Sequence, residues 1–434
     1  MPSTIRAAAE DIRRRRLSPV ELLKSCLERI ERFEDRVRAW VLVDSEGAMA
    51  RAEECAREIE RGGWRGPLHG IPLGIKDIYD VFDWPTAAGS GLWKNSIARQ
   101  DATVVRRLRQ AGAVFVGKTV TTQYASFDPP PTRNPWNAER TPGGSSSGSA
   151  AAIACGMCLG ALASQTGGSI TRPASYCGVA SCKPTYGRVS CEGVVPLAAS
   201  MDHPGAMARS VRDVEILLTT LADTGWEMNL ARIAPPTIGR LRGLFESRAE
   251  ASVTQMMERI TEKLRRHGAT VVDVKLPSSF DEVLPRHRIV MAVEAAAFHR
   301  ERLRRHPDDY DPWIRALLEE GLACPAPEYA RCKEHQRQLC VEIEKSFTGV
   351  SALLAPAATS PAPDAASTGD PAFNSPWSYT GLPAVSFPTE LTEDGMPLAI
   401  QLVGRPWSES ELFPLAAWCE EALGIELGEP PATR

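Results

Sequence analysis

The stretch from Thr141 to Lys183, TPGGSSSGSAAAIACGMCLGALASQTGGSITRPASYCGVASCK, constrains this chain more than any other. Side chains between Ser145 and Ser164 are nearly all small, so an element built there must lie very close to its neighbours. Two glycine turns that end in a serine bracket the run, Gly143-Gly144-Ser145 and Gly167-Gly168-Ser169. Consecutive glycines let backbone N–H groups converge on one point, because no Cβ bars the approach. A hydroxyl beside such a nest is a plan for an acyl-transfer nucleophile and its oxyanion hole. A loose linker explains two such turns poorly.

Around this stretch the chain reads as a large α/β protein. Its 434 residues are enough for a sizeable core. Fifty basic residues against 54 acidic ones give no electrostatic case for nucleic acid or an anionic membrane as partner. No apolar run is long enough to span a bilayer, and no signal-peptide core opens the sequence. Eleven cysteines without framework spacing predict a reduced, cytoplasmic protein. Arg13 to Arg16, next to Glu10 and Asp11, reads as a solvated helix end. Cys155 and Cys158 have redox-motif spacing, but inside the small-residue run they read as packing residues.

Taken in order, Ser18-Pro19-Val20-Glu21 is a capping box opening an amphipathic helix on Leu22, Leu23, Cys26, Leu27 and Ile30. A second helix is predicted from Ser45 to Glu60. Pro72 to Ile75 is a short apolar strand, and Lys76 stands at its end. Burial would disfavour its ammonium form, although a lysine stem can also pack while its head reaches water. A helix over 104–110 and strands over 113–118 and 159–164 continue the alternation that marks α/β layers. Further on, strands are predicted at 240–245, 270–274, 352–355 and 398–403, with helices over 251–266, within 280–346 and over 411–422. Pro356 to Gly381, with Phe373, Trp377 and Tyr379, reads as a lid or pocket wall.

Gly144-Ser145-Ser146-Ser147-Gly148 matches the G-x-S-x-G elbow, which needs an acid and a later histidine. His287, His299, His306 and His335 lie in charged helical patterns where a surface imidazole is the default, and a Pro-rich loop rather than a strand leads into Gly144. A phosphate loop is equally poor, since the glycine run lacks its lysine.

A serine–lysine scheme remains. GIPLGIKD around Lys76, GGSSSGSAAA, QTGGSITRPASYCGVASCKPTYGRVS and the closing GLPAVSFP and IQLVG segments together resemble the amidase signature family of serine hydrolases, over nearly the whole chain. The resemblance implies one α/β/α domain on a large, mixed, mostly parallel sheet. Its expected parts are N-terminal helices to about 62, a signature core over about 66–225, a variable helical region over about 236–350 and a C-terminal loop and strand over about 351–434. It further implies Ser169 as nucleophile, Ser145 as bridging serine after a cis peptide at Gly144–Ser145, and Lys76 as base. The oxyanion would be bound by backbone N–H groups of Thr166, Gly167, Gly168 and Ser169. No cofactor and no metal are called for. The expected partner is a small amide or carbamate, with no nucleic acid or membrane, and a homodimer is compatible with the family.

Around Ser169 the sequence departs from the common T-D-T-G-G-S-I-R-x-P. Gln165 replaces the acid, Thr171 the arginine, and Arg172 stands one place later. Loss of both charges is what an acid and base paired with each other would require. The Q-T-G-G-S-x-x-R-P form, with Ala366 to Pro371, resembles the malonamidase-like branch, where the displaced arginine binds a substrate carboxylate. Arg172 is therefore either such a clamp or half of a structural ion pair. Gln165, Trp377 and Tyr379 complete the expected substrate-binding set. The rival functions are the amidotransferase component of a tRNA-dependent complex, the so-called A-subunit, which Gln165 and Thr171 disfavour, and a non-catalytic binding relative of the fold.

Overall fold

In the computed structural model, residues 1–223, 226, 228 and 233–433 are described. They form a single α/β domain on one sheet of eleven strands. In chain order these are β1 (Trp40–Val43), β2 (Pro72–Lys76), β3 (Val114–Thr119), β4 (Gly160–Gln165), β5 (Ala180–Lys183) and β6 (His203–Ala208). There follow β7 (Thr237–Leu241), β8 (Thr270–Val274), β9 (Ala352–Pro356), β10 (Ala384–Leu391) and β11 (Pro397–Val403). Across the sheet the order is β1-β3-β2-β4-β6-β5-β10-β11-β9-β7-β8. The expected end of the signature core near residue 225 falls outside the described residues.

The sheet is mixed, as expected, but not mostly parallel. The β2–β3, β2–β4, β7–β8 and β7–β9 ladders are parallel. The other six are antiparallel. Helix–strand alternation predicts parallel crossovers, and it fails where strands follow one another without a helix. The stretch between β5 and β6 carries no helix, and β10 and β11 are joined by the Thr392–Gly395 turn.

Local sequence accounts for the helices that flank the site. Ser18 and Glu21 form the expected box: the Ser18 hydroxyl accepts from Val20 N–H and Glu21 accepts from Ser18 N–H. Helix Pro19–Val37 then buries Leu22, Leu23, Cys26 and Ile30. Helix Ser45–Glu60 is capped by Asp44. The small-residue run becomes helix Ser147–Ala154, buried on every side. A Cβ on Gly148 would lie 2.2 Å from the Ala39 carbonyl oxygen and 2.4 Å from Val120 N, so this face touches backbone directly. Cys155 and Cys158 are buried free thiols in the core, and Arg13 to Arg16 form an exposed helix end with Arg16 on Asp11 at 2.5 Å. No helix among the described residues is long and apolar enough to cross a membrane.

Candidate active site

Strands β2 and β4 run parallel and end side by side, with Ile75 opposite Leu162. Their C-terminal ends deliver Lys76 and Ser164 to one point, the usual place for a site in an α/β sheet. Lys76 has no solvent exposure. Its Nζ lies 2.7 Å from Ser145 Oγ, 3.0 Å from Ser146 Oγ and 2.8 Å from Ser164 Oγ. Burial drives this amine well below the ordinary lysine range, against the pull of the Asp202 carboxylate. A neutral amine donates two hydrogens and accepts one. Ser146 spends its own hydrogen on the Ser164 carbonyl at 3.3 Å, so the hydroxyl that donates to Nζ belongs to Ser145 or Ser164. Ser145 makes the shortest of the three contacts. The neighbouring lysine, Lys118, is paired with Asp77 at 2.8 Å and buried away from this cluster.

Gly144–Ser145 is a cis peptide. The Ser145 carbonyl accepts from Thr122 N–H, and the Gly144 carbonyl accepts from Arg172 Nη2 at 2.9 Å. The second serine turn follows β4. Ser146 N–H donates to the Ser169 carbonyl at 3.4 Å, which joins the two turns. Among the described residues no hydrogen bond links the Ser145 and Ser169 hydroxyls. Nor do the N–H groups of Thr166, Gly167, Gly168 and Ser169 donate to any described group, although buried N–H groups are almost always paired.

The carbonyls of the same turn, by contrast, are all held. Gln165 C=O shares His203 Nδ1 at 3.2 Å with the Met201 carbonyl at 2.6 Å, Thr166 C=O accepts from His287 Nε2 at 2.9 Å and Gly167 C=O from Ser378 Oγ at 3.4 Å. Gly168 C=O accepts from Arg172 N–H at 3.0 Å as helix Thr171–Cys177 begins. The four N–H groups thus lie free on a turn whose other face is anchored.

Gly167, Gly168, Ser169 and Arg172 line a cavity of about 480 Å³ whose walls include Phe127, Trp313 and Met291. Arg172 is buried. One of its nitrogens is used on Gly144 C=O and Thr368 Oγ1, while Nε and Nη1 have no hydrogen-bond partner among the described residues. Arg248 and Arg288 also reach this cavity, already engaged with Asp370 and Glu320 respectively.

Three expected substrate contacts are placed elsewhere. Gln165 turns into the protein: its Oε1 accepts from Ile170 and Thr171 N–H, capping helix Thr171–Cys177, and its Nε2 donates to Ser378 Oγ. Trp377 is fully buried and stacks on Phe245 at 5.8 Å. Tyr379 donates to the Cys332 carbonyl at 2.6 Å. The Pro356–Gly381 loop does line the cavity, but through Ser367 to Ala372 and Ser375, while its aromatic rings fill the core. The histidine expectation also fails in part. His287 and His299 are buried, His335 is half-buried, and His306 is exposed. Burial pushes His287 down to about 4, so the ring is neutral with its hydrogen on the Nε2 that meets Thr166 C=O. Sequence reasoning misses Ser146, Ser164 and Asp202. A serine ending a fully buried strand is the available signal for Ser164; nothing local marks the other two.

The site thus gathers a buried lysine among three hydroxyls, at the C-terminal ends of strands in a large mixed α/β sheet that is the fold of an amide hydrolase. The chain belongs to the amidase family, matching it over residues 21–413, and is an enzyme that cleaves amide C–N bonds. It is 35% identical to the putative amidase AmiD of Mycobacterium tuberculosis, across 98% of this chain and 94% of that protein. It is also 32% identical to the A-subunit of the glutamyl-tRNA(Gln) amidotransferase of Geobacter metallireducens, across 96% and 97% of the two chains. A crystal structure of an amidase superposes with a TM-score of 0.89 at 34% identity, covering 96% of this chain and 99% of the other.

Proposed function

We propose that this amidase hydrolyses small amides through an acyl-enzyme on Ser169, with Ser145 as proton relay and Lys76 as base. The observation that carries the reading is the Lys76 amine, buried, held far below its ordinary range and bonded to three hydroxyls. A serine hydroxyl is a poor nucleophile until a base takes its proton. When Ser169 turns onto Ser145 over bound substrate, its proton passes to Ser145 Oγ while Ser145 gives its own to Lys76 Nζ. Such contacts commonly close only in the substrate complex. Oγ of Ser169 adds to the carbonyl carbon, and the oxyanion meets the unpaired N–H groups of residues 166–169. Collapse breaks the C–N bond as the proton returns from Lys76 through Ser145 to the leaving nitrogen. Water then cleaves the ester by the reverse path. A carbamate, anilide or ester presents the same carbonyl to the same attack.

Arg172 supports an acidic substrate, as in the malonamidase-like branch. Its Nε and Nη1 are buried, charged and unsatisfied, at the cavity that Ser169 lines. A carboxylate matches a guanidinium through two parallel hydrogen bonds. A panel of acidic, neutral alkyl and aryl amides and carbamates tests the reading. Lys76→Ala, Ser145→Ala and Ser169→Ala should each abolish turnover, and a fluorophosphonate should label the wild type but not Ser169→Ala. Arg172→Ala should raise KM for acidic amides by roughly 10–100-fold, the value of a charge-assisted pair, and for neutral amides much less. Equal effects on both would remove the clamp. The relatives that serve as amidotransferase A-subunits give the second reading, and hydrolysis of a simple amide by the purified chain alone would set it aside.

A further inference from the structure

We propose that His287 is a positioning residue for the oxyanion turn, acting through the Thr166 carbonyl on the N–H of Gly167. The inference rests on the reading of Ser169 as nucleophile. His287 comes from helix Val283–Arg305, far from the turn in sequence, and lines the same cavity as Ser169. Its Nε2 reaches Thr166 C=O at 2.9 Å, the shortest of the three side-chain bonds to the carbonyls of this turn.

The geometry of the peptide unit does the rest. Thr166–Gly167 is a trans bond, so its C=O and N–H lie in one plane and point in opposite directions. Fixing the carbonyl against His287 therefore aims the Gly167 N–H to the other side, where it has no partner among the described residues. Gly167 and Gly168 carry no Cβ, and a glycine peptide rotates easily when nothing holds it. Rotation here would turn a carbonyl oxygen toward a developing negative charge. Such a donor is useful only when fixed in advance.

The imidazole suits the task because it stays neutral. It is buried, it donates from Nε2, and its lowered basicity keeps it out of proton transfer at neutral pH. The assigned base is Lys76, so replacing His287 should leave the ionisation that limits the reaction in place and lower the rate alone. Counted in bonds from Cα, a glutamine amide nitrogen reaches the Nε2 position, whereas that of asparagine falls one bond short.

The test compares His287→Gln, His287→Asn and His287→Phe by their rates of inactivation by a fluorophosphonate, whose phosphoryl oxygen occupies the oxyanion site. Loss of a whole oxyanion donor costs about 10²–10³-fold, so loss of its aim should slow His287→Phe and His287→Asn by about 10–100-fold. His287→Gln should recover most of the rate, and circular dichroism should show it and His287→Asn equally folded. Asparagine and glutamine variants reacting alike, or both at the wild-type rate, would overturn the proposal. Labelling of Ser169→Ala at the wild-type rate would overturn the nucleophile reading and this inference with it. That outcome differs from a failure of the histidine alone, in which Ser169→Ala is inert and His287→Asn reacts normally.

Discussion

In the proposed mechanism the charge state of Lys76 sets the chemistry, and Asp202 is the anion that opposes its loss of charge. The Asp202 carboxylate accepts from Thr166 Oγ1 and from the N–H groups of Leu197 and Ala198, beside the turn that carries Ser169. Burial raises it to about 6, so it is ionised at neutral pH and protonated below. While ionised it favours the ammonium form of Lys76, against the larger effect of burial. With Lys76 as the proposed base the reaction needs the free amine, so activity should fall as pH drops through the Lys76 ionisation. Asp202→Asn removes the anion and should therefore move the acid limb of the kcat/KM profile to lower pH. A limb that stays in place, or moves upward, would remove Asp202 from the control of Lys76.

At the scale of elements, what is legible in the sequence is whatever is local. The capping box at Ser18, the helix on Ser45–Glu60 and the positions of Lys76, Ser145 and Ser169 are set by nearest neighbours and by motif. Strands β1, β5, β6 and β10 escape a local reading. Of these, β6 begins His203-Pro204-Gly205 and β10 carries Pro388 at a register shift, and both residue types argue against a strand on local grounds. Tertiary pairing overrides that preference. The predicted strand over 240–245 forms earlier, at Thr237–Leu241, because Gly243 takes a left-handed φ of 63° and starts a short helix. Likewise His203, His287 and Ser378 reach the turn from distant segments, so no spacing could announce them. The aromatic residues of the Pro356–Gly381 loop mislead because a large ring serves a core as readily as a pocket. The small-residue run is legible, and its contact is testable. Gly148→Ala sets a Cβ against the Ala39 carbonyl and Val120 N, both backbone atoms that cannot step aside. It should cost about 1–3 kcal/mol in urea unfolding, with activity falling because the same helix carries the first serine turn. An unchanged midpoint would show that helix Ser147–Ala154 shifts freely.

For the whole molecule, the lowered pKa of Lys76 couples the proposed catalytic site to folding. Native Lys76 holds no proton above its lowered pKa, whereas in the unfolded chain it stays protonated up to about pH 10.4. The unfolded state therefore binds the extra proton, and this residue makes stability rise with pH throughout that window. Lys183, brought down to about 7 by burial, contributes in the same direction above neutrality. The buried thiols act oppositely. Cys26 and Cys155, raised to about 12, keep their protons when unfolded cysteines lose theirs near pH 8.5, so stability falls above that point. Total stability alone cannot separate these slopes, but a difference between two proteins can, because Lys183 and the cysteines cancel. The stability of wild type relative to Lys76→Met, from urea unfolding at pH 8.0, 8.75 and 9.5, should rise by about 1.4 kcal/mol per pH unit. A flat difference would mean that Lys76 is an ammonium in the folded protein. In that case it could not accept the proton of Ser145, and the hydrolase would need another base.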